Sequence, residues 1–247
     1  MAHDPSALWL VRHGQSLGNV ARDAAHDADL EALDLAERDM DVPLSPLGQR
    51  QAAALGRWLA NEPTANRPDV VYSSPYARAQ QTARLVLAEA GLDDRDVHLD
   101  ERLRERELGI LDLLTRRGVE ARYPGEAQRR ERLGKFYHRP PGGESWVDVA
   151  LRLRSFRDSI ALLHEGKRVL IVSHEVVIVM MRYLIEDLGE QRALALSRDE
   201  PLANCSLTTY TTDATGVLRL DRSGWTAPIE DEGAAVTEDH DARVAAR

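Results

Sequence analysis

Arg12 and His13, with Gly14 behind them, follow directly on the apolar run Ala7-Leu8-Trp9-Leu10-Val11. A cation, an imidazole and a position without a side chain therefore stand at the mouth of an expected strand, where a phosphoryl group could be held and attacked. A second histidine, in Val172-Ser173-His174-Glu175, ends another apolar run 161 residues later. A neutral imidazole is a competent nucleophile toward phosphorus and divides phosphoryl transfer into two displacements through a phosphohistidine. Guanidinium groups neutralise the dianion and hold its oxygens by forked hydrogen bonds as charge shifts during in-line transfer. His13 is the nucleophile on this reading, and Arg12 and Arg78 hold the phosphate. The chain shows no carboxylate cluster suited to magnesium, and its one cysteine, Cys205, leaves neither an internal disulfide nor a Cys-based cluster, so no metal is expected.

The elements that must carry these groups follow from hydrophobic period and punctuation. Leu8 to Val11 predicts a short buried strand, followed by a loop that turns at Gly14 and Gly18. Residues 20 to 40 carry Leu30, Leu33 and Leu35 among many charges and predict a weak surface helix or a lid. Ser45 as N-cap and Pro46 at N1 open a helix with Leu55, Trp58 and Leu59 on one face. Asp69 to Tyr72 predicts a second strand, after which Ser74 can cap, and Pro75 open, a helix running to Glu89. Val97-His98-Leu99 predicts a brief third strand, and Pro140-Pro141-Gly142-Gly143 with Glu144-Ser145 a turn that caps another helix. Arg168 to Val172 is the clearest buried strand and feeds a helix over Val176 to Leu188. Ser206 to Tyr210 and Val217 to Leu220 predict a terminal hairpin turning at Asp213 to Gly216. Strands and helices alternate throughout, which is the α/β class. Arg12-His13, Ser73-Ser74-Pro75 with Arg78, and His174 then all fall at carboxyl ends of strands, where ligands bind in such sheets and helix N-termini favour anions.

Composition bounds the rest. A chain of 247 residues with 43% apolar content can bury a large core, and no linker divides it before residue 225, so residues 1–225 are expected to form one catalytic domain. The net charge of −9 argues against nucleic acid or an anionic membrane as partner. Residues 226–247 hold six acidic and two basic residues and are expected to be a disordered acidic tail. Asp100 to Arg139 reverses the balance, with eleven basic against eight acidic residues, and could collect a small anion. No signal peptide is read at Met1-Ala2-His3-Asp4-Pro5, and the run Val176 to Met181 is too short to span a bilayer, so a cytoplasmic location is expected. No heptad or apolar stripe indicates an oligomeric state. His3, His26, His98, His138, His164 and His240 have no context like that of His13 or His174 and are read as surface or packing residues.

Arg12-His13-Gly14-Gln15-Ser16 with Asn19, Ser73-Ser74-Pro75 with Arg78, Glu105 to Gly109, and Ser173-His174 resemble in order and spacing the histidine phosphatase superfamily, also called phosphoglycerate-mutase-like. Asp41-Val42-Pro43-Leu44-Ser45 with Gly48 and Gln51-Ala52 is similar to the family's first helix entry, and Asn204-Cys205-Ser206 to the entry of its last strand. The resemblance runs from about Leu8 to about Leu220. It implies a three-layer α/β/α sandwich with a mostly parallel central sheet and helices on both faces. It also implies His174 as a second pocket imidazole donating to the phosphoryl oxygens, Asn19 as a neutral phosphate donor, and catalysis without a cofactor. Glu105, four residues before Gly109, resembles the family's acid, and burial would have to raise its pKa for it to donate near neutrality. Glu101 and Glu107 stand close enough in sequence to be the pocket carboxylate instead.

Substrate choice is expected to lie with Ser16, Arg130, Lys135, Trp146 and Glu175. The stretch from Tyr123 to Trp146 looks more like the bisphosphatase half of the bifunctional fructose-2,6-bisphosphate enzyme than like glycolytic mutases, but that enzyme's sugar-phosphate contacts are only partly kept. Arg130 matches and Lys135 is one position off, while Trp146, Glu175 and Val179 replace a tyrosine, a glutamine and an arginine. Mutases carry Gly-Asn after the second histidine, where this chain has Glu175-Val176, and an inward Glu175 would repel a glycerate carboxylate. The expected activity is therefore a metal-independent phosphatase on small phosphomonoesters such as sugar or metabolite phosphates. The alternatives are a phosphoglycerate mutase, with 2,3-bisphosphoglycerate as its primer, and an inactive relative that binds a phosphorylated ligand.

Overall fold

The structure, a computed structural model, describes residues 4–92 and 94–238. Its strands are β1 (Ala7–Arg12), β2 (Val70–Ser73), β3 (Val97–Leu99), β4 (Arg168–Ser173), β5 (Leu207–Thr212) and β6 (Leu218–Trp225). Its helices are α1 (Leu17–Asp27), α2 (Pro46–Asn61), α3 (Ala77–Glu89), α4 (Arg116–Arg122), α5 (Pro124–Tyr137), α6 (Trp146–Leu163), α7 (Glu175–Ile185), α8 (Glu190–Asp199) and α9 (Ala227–Glu230). The strands form one sheet in the order β3-β2-β4-β1-β5-β6. The strands β3, β2, β4 and β1 pair in parallel, and β5 and β6 add antiparallel pairings at one edge.

Successive strand residues face opposite layers, so a sheet covered on both sides needs apolar runs rather than alternation. Leu8, Leu10, Val169 and Ile171 join the core of α6, α7 and α8, while Val11, Leu170, Val172 and Val71 join that of α2 and α3. The result is the expected three-layer α/β/α sandwich with a mostly parallel sheet. The caps that start the covering helices are legible in sequence. Ser45 Oγ accepts from Gly48 N at 3.0 Å with Pro46 behind it, and Ser145 and Asp148 form a reciprocal capping box at α6.

Four expectations are corrected. Helix α3 starts at Ala77 rather than Pro75, because Ser74 turns into the site instead of capping it. The weak helix of residues 20–40 is displaced: Ser16 and Asn19 cap a helix that ends at Asp27. The chain beyond it pairs with another loop through Ala32 and Leu114 and reaches a single 3-10 turn at Asp39–Asp41. Residues 226–238 of the acidic tail pack on the domain, since Pro228 and Ile229 are buried and Ala235 and Thr237 hydrogen-bond to the body of the protein. The tail's remaining residues, with His240, lie outside the described residues, as does His3. Helix α7 begins at Glu175 and ends at Ile185, three residues short of Leu188, with Asp187 in the left-handed region at φ 51°.

Candidate active site

Register brings the two histidines together. β1 and β4 are parallel neighbours with Arg12 opposite Ser173, so His13 and His174 each follow the last paired residue of adjacent strands. Their ring centroids are 5.1 Å apart at 64°. His13 N donates to Ser173 O at 2.9 Å, and Asn204 Nδ2 donates to His13 O at 3.0 Å, which fixes the backbone from both sides. The ring is 4% exposed, and its Nδ1 lies 2.8 Å from Gly14 O. A carbonyl oxygen only accepts, so Nδ1 carries the ring proton and Nε2 keeps its lone pair. Gly14 must lack a side chain, because a Cβ there would stand 2.5 Å from Gly48 O, where the loop crosses the start of α2.

His174 is buried beside β2, whose Ser74 Oγ lies 2.8 Å from its Nε2. The Tyr76 ring packs edge-on against it at 5.2 Å. On its other side Nδ1 is 3.6 Å from Glu105 Oε2. Burial, followed by the nearby Arg78 guanidinium, holds the imidazole well below its ordinary pKa, whereas burial pushes the Glu105 carboxyl up. Both shifts favour the uncharged forms of the two facing groups. The other two candidate carboxylates are placed elsewhere: Glu101 is exposed in a 3-10 turn, and Glu107 Oε1 caps Gly109 N at 3.2 Å.

Each arginine of the site is held by a carboxylate. Arg12, 1% exposed, donates to Leu202 O and lies 3.4 Å from Glu175 Oε2, so Glu175 turns toward this guanidinium. Arg78 Nη1 donates to Asp39 O at 2.6 Å and to Asp39 Oδ1 at 3.0 Å, and Nη2 donates to Oδ2 at 3.1 Å. The Tyr76 ring lies 4.9 Å from the Arg78 guanidinium carbon. Thr82 Oγ1 donates to Arg78 O at 2.7 Å and accepts from Gly14 N at 3.0 Å, tying α3 to the His13 loop. Ser74, Tyr76, Thr82 and Asp39 were not singled out as site residues from sequence. Thr82 had a signal, because it stands one helical turn after Arg78, whereas only folding brings Asp39 to that arginine.

The expected specificity residues are dispersed. Ser16 is spent as the cap of α1: its hydroxyl and amide donate to Asn19 Oδ1 at 2.9 and 2.8 Å, which also fixes the Asn19 carboxamide near the loop. Trp146 is fully buried and packs with Phe136 in the core, so it is a packing residue rather than a pocket wall. Lys135 Nζ covers the Trp146 ring at 4.9 Å and donates to Ser197 of α8 at 3.2 Å, which commits it to helix packing. Arg130 is exposed on α5, close enough to Arg106 that burial and this like charge lower Arg106 to about 10. Of that group, Glu175 contacts the phosphate-holding candidate Arg12 and Ser16 contacts Asn19. Among the described residues, no group of three or more His, Cys, Asp or Glu side chains is placed to share a metal ion, and no helix is long and apolar enough to cross a membrane.

With this geometry in hand, comparison with known proteins gives a consistent result. The family model of the Histidine phosphatase superfamily (branch 1) matches residues 8–224. The 2,3-bisphosphoglycerate-dependent phosphoglycerate mutase 2 of Gloeobacter violaceus is 37% identical over 169 residues, 68% of this chain and 69% of its own length. The probable phosphoglycerate mutase GpmB of Yersinia enterocolitica is 29% identical over 202 residues, covering 81% of this chain and 82% of the relative. Among solved structures, a mycobacterial glucosyl-3-phosphoglycerate phosphatase with VO3 aligns at TM-score 0.68 and 27% identity, over 89% of this chain and 99% of that one. Bacillus stearothermophilus YhfR aligns at TM-score 0.70 and 27% identity, over 90% and 98%.

Proposed function

Because the chain belongs to the histidine phosphatase superfamily, branch 1, we propose that it hydrolyses small phosphomonoesters through a phosphohistidine on His13. The observation that carries this reading is the Nδ1–Gly14 O hydrogen bond, which leaves Nε2 as the nucleophilic nitrogen. Nε2 attacks phosphorus and the bond to the leaving alkoxide breaks. Glu105, whose pKa burial pushes up toward the protonated form, gives that oxygen its proton. Water then attacks the phosphohistidine, its proton passes to the Glu105 carboxylate, phosphate leaves, and Nε2 regains its lone pair. Arg12, Arg78 and the Asn19 amide hold the phosphoryl oxygens, with His174 beside the nucleophile, ring to ring at 5.1 Å, as the second pocket imidazole. No step calls for a metal ion.

The second reading, a phosphoglycerate mutase primed by 2,3-bisphosphoglycerate, is favoured by the names of the sequence relatives. Glu175 favours the phosphatase. Its carboxylate lies 3.4 Å from the Arg12 guanidinium, so it adds negative charge beside a phosphate-holding group, which opposes a substrate carrying a second anion. The named structural neighbour is likewise a phosphatase. Incubation with p-nitrophenyl phosphate and EDTA should release phosphate, and His13→Ala should abolish release. Rapid, primer-dependent exchange of 3- and 2-phosphoglycerate, with little net phosphate, would replace this reading by the mutase. Ranking phosphorylated metabolites by kcat/KM would then identify the substrate.

A further inference from the structure

Arg78 is 5% exposed, and three of its five N–H groups end on one residue, Asp39. Both Nη1 hydrogens and one Nη2 hydrogen are taken by the Asp39 carboxylate and carbonyl, which occupy the outer end of the guanidinium. The Nε–H and the second Nη2–H lie together on the adjacent edge, a fork that matches two phosphoryl oxygens. Tyr76 covers a face of the same group. Asp39 itself comes from the 3-10 turn at Asp39–Asp41, which the preceding loop carries over α3.

Resting on the phosphatase reading above, we propose that Asp39 is the positioning residue for Arg78: it grips the outer end of the guanidinium and presents the Nε–Nη2 edge to the phosphoryl group. The alternative role for such a carboxylate is to occupy the phosphate's place until substrate displaces it. Geometry favours positioning, because a phosphoryl group on the free edge leaves all three Asp39 bonds intact. Displacement would instead break all three of these bonds and leave the carboxylate beside an incoming dianion of like charge. Asp39 also adds its charge to the field on Glu105, together with Arg78 of α3, Arg152 of α6, His174 and the Arg106 amide. Its negative charge helps keep that acid protonated.

The test is binding of orthovanadate and inorganic phosphate by calorimetry to the wild-type protein, Asp39→Asn and Asp39→Ala, alongside the pH profile of kcat on p-nitrophenyl phosphate. Asp39→Ala is expected to weaken vanadate binding and kcat together by roughly 10- to 100-fold. Asp39→Asn, isosteric and the fallback if the alanine variant does not fold, should lose less because its amide oxygen still accepts. In both, loss of the negative charge lowers the Glu105 pKa, so the high-pH limb of kcat moves to lower pH. A merely structural role would lower the melting temperature without moving that limb. Unchanged or tighter vanadate binding in the variants would overturn the proposal. A wild-type protein that neither binds vanadate nor turns over would instead refute the phosphatase reading beneath it.

Discussion

In the proposed mechanism His13 depends on where its other nitrogen is spent, and Glu105 on the partial burial that pushes its pKa up. The second dependence has a thermodynamic cost that can be measured. Burial raises the folded-state pKa of Glu105 above its unfolded value, so its contribution to stability is fully present below the unfolded pKa and is lost as pH rises through the folded one. Glu105→Gln removes the titration while keeping the shape. It is expected to lower kcat by about 10²–10⁴-fold and to raise the melting temperature relative to wild type. That gain should grow as pH rises through the Glu105 titration and then level off. A melting temperature equally reduced at every pH would show that Glu105 is not the buried neutral acid. At this scale the sequence was informative about groups that do chemistry and poor about groups that orient them. His13, His174, Arg12, Arg78 and Glu105 lie in recognisable short motifs, whereas Asp39 reaches Arg78 from 39 positions away. Trp146 and Lys135 misled because their positions resembled substrate contacts, while the core claimed one side chain and α8 the other.

Elements set the precision of the site. The parallel register of β1 on β4 makes neighbours of two histidines far apart in sequence, and it was inferable from two apolar runs ending in polar residues. What composition concealed is the strap formed by residues 226–238 of the acidic tail. Thr237 Oγ1 donates to Asn204 Oδ1 at 2.9 Å, and Asn204 Nδ2 in turn holds the His13 carbonyl at 3.0 Å. Gln51 Nε2 donates to Ala235 O and Thr237 Oγ1, and its Oε1 accepts from Gln15 N at 2.9 Å. The tail thus braces the nucleophile loop from behind through two side chains that are themselves buried. Charge suggested disorder, but Pro228 and Ile229 anchor the segment by apolar burial, which outweighs its acidity. Thr237→Val keeps the volume and removes both hydrogen bonds. It should cost about 1–3 kcal/mol and lower kcat more than it alters KM, with Thr237→Ser restoring both. Loss of stability with kcat intact would confine the strap to a structural role.

Across the whole molecule, one sheet delivers the carboxyl ends of β1, β2 and β4 to a common point, with the two covering layers buried on either side. That architecture was legible because alternation of apolar strands and capped helices has few compact solutions. Substrate identity was not, because it depends on loops whose side chains meet only after folding. Arg12 pairs with Glu175 and Arg78 with Asp39, so in the proposed site both guanidinium groups would meet a phosphoryl group while already balanced by carboxylates. Beneath any substrate lies one chemical claim, a covalent bond between phosphorus and His13 Nε2. Rapid alkaline quench during turnover of a labelled phosphomonoester, followed by mapping of the label, tests it most directly. A transient phosphoramidate on Nε2 of His13 is expected, forming before phosphate release and absent from His13→Ala. Turnover with no labelled histidine, or with the label on another residue, would contradict it.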